Sequence, residues 1–333
     1  MSSYLAVIGE CLVDVVHSET SAPKAHVGGS PLNVAVGLAR LEHPVVFAGR
    51  WGDDDYGRMI ARSLKAQGIT NLLPADELPT SVATATLDPT GQASYEFALD
   101  WQLPSAEEME QKFRDLAAQD QHDDDGPLMH LHTGSLGAVI EPGAETVKGV
   151  LDRARPGATI SYDPNYRPTL VPNRERAREQ VEEFVARADI IQASTDDLEL
   201  LYPERSHTET MQAWLQLGPA LVTVTRGASG AMALARSGFA EQEAFPIEVA
   251  DTVGAGDSFM AATLSTLHSR GLLGGQNRDA LQAISSADVA AVIRTASQAA
   301  AITSARFGAQ PPTAAELSAA LNDAAHPTGT ATS

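Results

Sequence analysis

The sequence predicts an α/β protein with a mainly parallel central sheet, because short apolar runs alternate with longer segments of helical periodicity. Six runs rich in Val, Ile and Leu are typical of buried strands. They are residues 5–8, 45–48, 128–131, 159–162, 190–193 and 221–225. Two helical stripes support the same class. They are Val34, Leu38 and Leu41 between the first two strands, and Met260, Leu264 and Leu267 near the C-terminal end.

Two segments, residues 10–29 and 81–99, break this alternation. The second contains two strand-like runs on either side of the turn at residues 88–91. We predict that the two segments form a small separate sheet, too small for a core of its own. Such a sheet is expected to cover either a ligand crevice or another subunit, and a lid over a crevice is the simpler interpretation. Residues 1–322 are expected to form one domain that carries this lid, and residues 323–333 a flexible C-terminal tail.

The charge balance points to small-molecule partners. Lys and Arg number 23 against 43 Asp and Glu, a net charge of -20, which argues against binding of nucleic acid or anionic lipid. A single cysteine, Cys11, excludes a disulfide framework and a Cys-rich zinc site. The N-terminus lacks the basic start of a signal peptide, and no run of 18 apolar residues occurs, so a cytoplasmic protein that does not enter the membrane is expected.

Two further features have an ordinary structural interpretation. The acidic tract at residues 120–126 lacks the ligand spacing of an EF-hand, so a solvated loop is favoured over a calcium site. His130 and His132 share one face of a strand, and without a third ligand, packing is favoured over metal binding.

Several common enzyme motifs are absent. None of the four lysines follows Gly or precedes Ser or Thr, which excludes a Walker A loop. The sequence contains no Gly-x-Gly-x-x-Gly after the first strand, and neither Gly-x-Ser-x-Gly nor His-Glu-x-x-His occurs. P-loop NTPases, Rossmann dehydrogenases, serine hydrolases and zincins are therefore disfavoured.

The most informative motif is DTVGAGDSF at residues 251–259, directly before the second helical stripe. Small residues at a helix start leave N–H groups free to bind an anion such as phosphate. Asp257 beside such a seat suits a base that accepts the proton of a hydroxyl attacking phosphorus. The alternative is an ordinary first-turn Asp, and in either case the helix dipole is expected to lower the pKa of Asp257.

Three weaker patterns surround it. Residues 221–230 form a strand that runs into a glycine turn, suited to a nucleotide phosphate or to a plain hairpin. Residues 163–168, DPNYRP, follow a strand and supply two acceptors and a guanidinium, for ligand binding or to pin a loop. Residues 28–33, GGSPLN, open a helix, while Asp14 lies on a lid strand and is either a ligand or an exposed strand residue.

Together these segments resemble the ribokinase-type (PfkB) carbohydrate kinases from residue 7 to about residue 309. The two most specific stretches are residues 28–53, from GGSPLNVAVGLARL to GRWGD, and residues 251–257. Within the family, residues 9–14, 134–136 and 163–167 look most like bacterial fructokinases. The resemblance implies a three-layer α/β/α ribokinase-like sandwich with a β lid, ATP and Mg²⁺ as cofactors, and a homodimer formed through the lid.

The resemblance also implies individual roles. Asp257 is the base, and the anion hole for the transferred phosphoryl comprises Gly254, Ala255 and Gly256. The sugar-binding residues are Asp14, Gly29 and Asn33, with Arg167 on substrate or phosphate. The ATP-binding residues are Ser194, Asp197, Thr225, Gly227 and Gly230.

Three positions bear on metal ions. Asp251 and the carbonyl of Val253 match positions that often bind a monovalent cation, so K⁺ is a candidate cofactor. The stretch GAQPP at residues 308–312 has Pro where cation-dependent relatives often have Ser. Asp197 stands where many members have Glu, and it is expected to accept from a magnesium-bound water.

The residue content near the lid bears on the sugar. Residues 67–111 contain no Lys or Arg, which leaves Arg167 as the one obvious cation and favours a neutral sugar over ketodeoxygluconate. Tyr95, Phe97 and Trp101 are candidates for apolar contacts to the sugar, or for lid packing. We predict a fructokinase that phosphorylates O6 of fructose. The alternatives are a 2-keto-3-deoxygluconate kinase, a ribokinase or nucleoside kinase, and a non-catalytic sugar- or nucleotide-binding regulator.

Overall fold

Two β-sheets form the framework of the computed structural model, which describes residues 2–18, 21–87, 93–119 and 125–325. The strands are β1 (Ser2–Ile8), β2 (Leu12–Ser18), β3 (Ser21–Gly28), β4 (Val45–Ala48), β5 (Thr70–Asn71), β6 (Val82–Leu87), β7 (Ala93–Ala98), β8 (Asp125–Gly134), β9 (Thr159–Asp163), β10 (Ile190–Ser194), β11 (Leu221–Thr225), β12 (Ala231–Ala235) and β13 (Gly238–Gln242). The helices are α1 (Ser30–Arg40), α2 (Asp55–Ala66), α3 (Ala106–Gln119), α4 (Gly143–Ala154), α5 (Arg174–Val185), α6 (Thr195–Leu201), α7 (His207–Gln216), α8 (Ala255–Ser269), α9 (Arg278–Gln282), α10 (Ser286–Ser304) and α11 (Ala314–Ala325).

The central sheet has nine strands in the order β13-β12-β11-β10-β9-β8-β1-β4-β5. From β11 to β5 all neighbours pair in parallel, and only β12 and β13 at one edge are antiparallel. All six strands predicted from apolar runs are present, and β4 and β11 have the predicted bounds. Because the carboxyl ends of parallel strands meet at one edge, the loops after β9, β10 and β11 lie side by side.

Helices cover both faces of the central sheet and complete the predicted three layers. One apolar core packs α1, α2, α8, α10 and α11 against the sheet, and a second packs α3 to α7 against the opposite face. The stripe Met260, Leu264 and Leu267 is buried, as expected. In the first stripe Val34 and Leu38 are buried, whereas Leu41 follows the end of α1 and is only partly buried.

The small separate sheet has four strands in the order β3-β2-β6-β7. The β2–β3 and β6–β7 pairs are antiparallel, and β2 joins them by parallel pairing with β6. The predicted small sheet is therefore present. The turn predicted at residues 88–91 lies outside the described residues, as do residues 120–124 of the acidic tract and residues 326–333 of the tail.

A buried arginine ties the two sheets together. Arg50, 3% exposed, donates to both carboxylate oxygens of Asp76 at 2.6 and 2.8 Å. It also donates to the carbonyls of Leu78 and Pro79, just before β6. The GRWGD stretch thus positions the segment that enters the small sheet.

A buried carboxyl lies at the other connection, between β1 and β2. Glu10, 5% exposed, accepts a hydrogen bond from the N–H of Gly137 at 2.8 Å. Burial raises the pKa of Glu10 to about 7, although the hydrogen bonds that the carboxylate accepts act to lower it.

The two strand histidines are packed, as expected. His130 is within hydrogen-bond distance of the hydroxyls of Thr159 and Ser161, and His132 shares the Ser161 hydroxyl at 2.8 Å. Burial lowers the pKa of His132 to about 3. Among the helices in the described part of the chain, none is long and apolar enough to cross a membrane.

Candidate active site

A crevice of about 1130 Å³ separates the carboxyl ends of the central strands from the small sheet. It adjoins an apolar pocket of about 490 Å³, because Thr225, Thr252 and Gly256 line both. Every residue given a catalytic, sugar-binding, ATP-binding or metal-binding role from the sequence lines one of these two cavities. The fold therefore brings together residues that lie up to 243 positions apart, as between Asp14 and Asp257; their individual roles stay predictions.

Asp257 lies in the first turn of α8, facing the crevice. Its Oδ1 accepts a hydrogen bond from the Ser30 hydroxyl at 2.6 Å, and its Oδ2 accepts one from Nδ2 of Asn33 at 2.8 Å. Both donors are on α1, which packs against α8 in the same core. The two bonds fix the orientation of the carboxylate and leave lone pairs for a ligand hydroxyl.

The pKa of Asp257 moves in the direction opposite to the sequence expectation. Withdrawal from bulk water raises it to about 6, although the bonds from Ser30 and Asn33 and the charge of Arg167 act to lower it. The expected lowering by the helix start is therefore overcome by desolvation. A carboxylate with a pKa near 6 is still mostly ionised at neutral pH, and it is a stronger base than an exposed Asp.

The turn before α8, which is predicted to bind an anion, has fewer free N–H groups than expected. Gly254 adopts φ 76°, and a Cβ there would lie 2.5 Å from the Cβ of Ala309, so glycine is required. The N–H of Ala255 donates to the carbonyl of Thr252 at 3.2 Å, so it is not free for an anion. Within the described residues, the N–H groups of Gly256 and Asp257 have no such partner and are the available donors.

The start of α1 contributes predicted site residues to the crevice. Gly29 caps α1 at φ 113°, and a Cβ there would lie 2.8 Å from the carbonyl oxygen of Glu10. Asn33 lines the crevice but also binds Asp257, a tertiary contact that the sequence did not reveal. Asp14 is an exposed residue of β2 that faces the crevice.

The DPNYR segment places groups of opposite charge in the crevice. The exposed guanidinium of Arg167 lines it and acts on Asp257. Asp163 accepts from the N–H of Asn165 at 2.9 Å and from Nε2 of Gln192 at 2.8 Å. Burial and the neighbouring charges of Asp197 and Asp257 raise the pKa of Asp163 well above its usual range.

Two residues with strained backbone conformations, Asn165 and Ser135, are hydrogen-bonded to each other next to this segment. Asn165 has φ 39° and Ser135 has φ 54°, both in the region that favours glycine. Nδ2 of Asn165 donates to the Ser135 hydroxyl at 3.1 Å. The bond holds the turn that directs Asp163 and Arg167 toward the same crevice.

The apolar pocket lies beside the turn after β11. Thr225, Gly227 and Gly230 line it, together with residues that the sequence did not single out. These additional residues include six apolar ones from the segment before α8 and from α10: Phe245, Pro246, Ile247, Val249, Ala300 and Ala301. Ser297 and Ser304 of α10 also line the pocket. No charged side chain of the described residues lines this pocket, which suits the flat face of a nucleotide base.

Asp197 is already occupied as a helix cap. Its Oδ2 accepts from the N–H and the hydroxyl of Ser194, at 2.8 and 2.6 Å, in a capping box at the start of α6. Its Oδ1 accepts from the N–H of Tyr166 at 2.7 Å. Oδ1 retains a lone pair, whereas both lone pairs of Oδ2 are used, so a bond from a metal-bound water to Oδ1 stays a prediction.

The candidate cation site is built from one carboxylate and the backbone. Asp251 accepts from the N–H of Gly308 at 2.8 Å and from that of Val253 at 3.1 Å, and these bonds hold its pKa below the usual range. No group of three or more His, Cys, Asp or Glu side chains able to hold a metal ion is found in the described part of the chain. A cation here would therefore depend on carbonyl oxygens in addition to Asp251.

The aromatic residues that the sequence suggested for sugar contacts have different locations. Phe97 lines the crevice and is 42% exposed. Trp101 is 3% exposed, and its Nε1 donates to the carbonyl of Gly137, so the expectation of a sugar contact is wrong for this residue. Its ring packs against Gly143, where a Cβ would collide with it. The side chain of Tyr95 lies outside the described residues.

Comparison with known proteins agrees with the geometry. The family model described as pfkB family carbohydrate kinase matches residues 2–316. A fructokinase of Vibrio alginolyticus is 32% identical over 265 residues, which cover 78% of this chain and 83% of that protein. A fructokinase of Rhizobium leguminosarum bv. trifolii is 29% identical over 270 residues, 80% of each chain. The crystal structure of a fructokinase with bound ATP from Xylella fastidiosa superimposes with a TM-score of 0.82 at 25% identity, over 97% of this chain and 99% of that one.

Proposed function

Because the chain belongs to the pfkB family of carbohydrate kinases and is a phosphotransferase that acts on a sugar hydroxyl, we propose that it transfers the γ-phosphoryl group of MgATP to O6 of D-fructose. The observation that carries the proposal is the position of Asp257. Its carboxylate is oriented by Ser30 and Asn33 at the junction of the apolar pocket and the crevice under the small sheet.

The chemistry follows from this position. A sugar hydroxyl beside Asp257 attacks the γ-phosphorus, the bond from that phosphorus to the β–γ bridging oxygen breaks, and ADP leaves. The hydroxyl proton passes to Asp257. The N–H groups of Gly256 and Asp257 bind the phosphoryl oxygens as charge redistributes among them. Arg167 supplies a positive charge on the open side of the crevice.

The proposed donor is ATP, with its base in the apolar pocket and its phosphates directed toward the start of α8. Mg²⁺ bound to the phosphates would neutralise part of their charge. Such an ion would depend on the phosphate oxygens and on water, because no group of three or more His, Cys, Asp or Glu side chains able to hold a metal ion is found among the described residues. Asp197, through water, is the residue proposed to face it. We also propose that K⁺ binds at Asp251 and the carbonyl of Val253, because both supply oxygen ligands.

The charges around the crevice favour a neutral sugar. The acidic side chains that line it are Asp14, Asp163, Asp197, Asp251 and Asp257. Among the described residues, Arg167 is the one Lys or Arg on the same lining. A sugar acid would bring a further negative charge into this field. The names of the curated relatives support fructose, and Arg167 is the observation that keeps a 2-keto-3-deoxygluconate kinase as the second candidate.

The test is ADP release by the purified protein with ATP and Mg²⁺ over fructose, 2-keto-3-deoxygluconate, ribose, glucose and adenosine. Asp257→Ala is the blank. We expect fructose to have the highest kcat/KM. A preference for 2-keto-3-deoxygluconate or ribose would overturn the sugar assignment, and binding of an ATP analogue without turnover of any sugar would favour the non-catalytic regulator.

We further propose that two copies associate through the small sheet, whose edge strands in the described part of the chain are β3 and β7. Sedimentation velocity of the full chain tests this proposal. A monomer at assay concentration would contradict it.

A further inference from the structure

One row of side chains crosses the small sheet and faces the crevice. In the strand registers, His26 pairs with Asp14, Asp14 with Ala83, and Ala83 with Phe97. All four residues line the crevice. Directly opposite residues have Cβ atoms about 4.5–5.5 Å apart on one face of a sheet. The row therefore presents, in order, an imidazole, a carboxylate, a methyl group and a phenyl ring to the same ligand space.

The polar end of this row is not used by the protein itself. Within the described residues, the side chains of Asp14 and His26 take part in no hydrogen bond or ion pair. The Asp14 carboxylate lies over Gly28, where a Cβ would collide with Oδ2. The imidazole is close enough for its charge to act on the carboxylate. Two polar groups are thus placed together at the sugar end of the crevice without a protein partner.

The small residue in the middle of the row leaves space for a ring. Ala83 is 4% exposed and lies between the carboxylate and the phenyl ring. A sugar has hydroxyls on one edge and a C–H surface on its face, and aromatic rings suit the latter. The row therefore offers hydrogen-bonding groups on one side of this space and an apolar surface on the other.

From this arrangement we propose that His26 is a sugar-binding residue that determines acceptor specificity, together with Asp14. The proposal rests on the proposed function. Asp14 accepts from hydroxyls, whereas a neutral imidazole donates through one ring nitrogen and accepts through the other. The pair therefore selects a neutral sugar with neighbouring hydroxyls. A carboxylate at the same place would be repelled by Asp14.

The first experiment compares steady-state kinetics of the full-length wild type, His26→Ala and His26→Gln with fructose and ATP. We expect His26→Ala to raise KM for fructose by about tenfold or more, since a hydrogen bond to the sugar is lost, and to leave KM for ATP within about twofold. His26→Gln keeps a donor and an acceptor and should recover part of the loss. Lys24→Ala is the matched control, because Lys24 lies two residues away on the same strand and does not line the crevice.

The second experiment identifies the bound hydroxyl by using 1-deoxy-, 3-deoxy- and 4-deoxyfructose. We expect the wild type to discriminate against one of these analogues by about tenfold and His26→Ala to lose that discrimination. Circular dichroism and thermal unfolding of each variant show whether the fold is intact. If the wild type phosphorylates another sugar of the panel better than fructose, that sugar and its deoxy analogues replace fructose here.

The outcomes separate the two proposals. A wild type that phosphorylates none of the sugars contradicts the proposed function. A wild type that is active, with a folded His26→Ala variant whose KM for the sugar is unchanged, contradicts the role of His26 alone. An equal rise of both KM values, or equal discrimination by wild type and variant, also overturns it.

Discussion

Removal of the Ser30 hydroxyl should shift the pH dependence of the reaction. The hydroxyl donates to Oδ1 of Asp257 at 2.6 Å and acts to lower the pKa of that carboxyl, which stands at about 6. A hydrogen bond to a charged group contributes about 1.5 to 3 kcal/mol, and about 1.4 kcal/mol corresponds to one pKa unit. At the lower end of this range, Ser30→Ala should raise the pKa of Asp257 from about 6 to about 7.

The size of the effect follows from the fraction of ionised base. At pH 6, Asp257 is about half ionised in the wild type and about one-tenth ionised in the variant, so kcat/KM for the sugar should fall about fivefold. At pH 8 both are about nine-tenths ionised or more, so the two enzymes should differ little. The ionised form of Asp257 is the active one, so activity is lost as the pH falls through the pKa of Asp257. A higher pKa in the variant moves this loss to a higher pH.

The assay is the pH profile of kcat/KM for the sugar between pH 5 and 9, with saturating MgATP. Ser30→Thr, which keeps a hydroxyl, is the control and should retain the acid limb near pH 6. A loss of the same size at pH 6 and pH 8 would refute the reasoning, because Ser30 would then contribute to substrate binding and not to the protonation of Asp257. An unshifted limb with unchanged activity would refute it as well.

Three further predictions follow from the same geometry. Asp257→Ala should lower kcat by about 10² to 10⁴, with circular dichroism unchanged, and near-normal turnover would exclude it as the base. Asn165→Ala should lower kcat/KM about tenfold, because the changed turn would displace Arg167. Asn165→Gly accommodates φ 39° and should lose less activity. Equal losses in the two variants would show that the backbone conformation at residue 165 is not the cause. Glu10 has a folded pKa of about 7 against 4.5 unperturbed, so its stabilising effect is complete below pH 4.5 and is lost as pH rises through 7. Urea unfolding at pH 5.5 and pH 8 should show the wild type losing about 2 kcal/mol more than Glu10→Gln, and parallel losses would contradict the raised pKa.

Much of the fold and part of the site could be predicted from the sequence, because the responsible signals are local. Apolar runs at residues 45–48 and 221–225 coincide with β4 and β11, since a strand buried on both faces requires continuous apolar residues. The small residues before Asp257 indicate a helix start that leaves N–H groups free. These patterns depend only on neighbouring positions in the chain.

Other parts of the site depend on segments that are distant in sequence. Ser30 lies 227 residues from Asp257, and only the packing of α1 on α8 makes it a donor to that carboxylate. His26 could be recognised as a crevice residue only from its register with Asp14. The sequence left Trp101 between a sugar contact and packing, because nothing local shows whether an aromatic ring faces a ligand or the core.

The pKa of Asp257 shows the same division in one residue. The sequence alone determined that an acidic side chain stands in the first turn of a helix, where the local dipole lowers its pKa. Only the tertiary structure decided the outcome, because desolvation depends on every element packed around the carboxylate, and here it raises the pKa to about 6. The local sequence determines which chemical groups are present, and the tertiary structure determines their environment and therefore their chemistry.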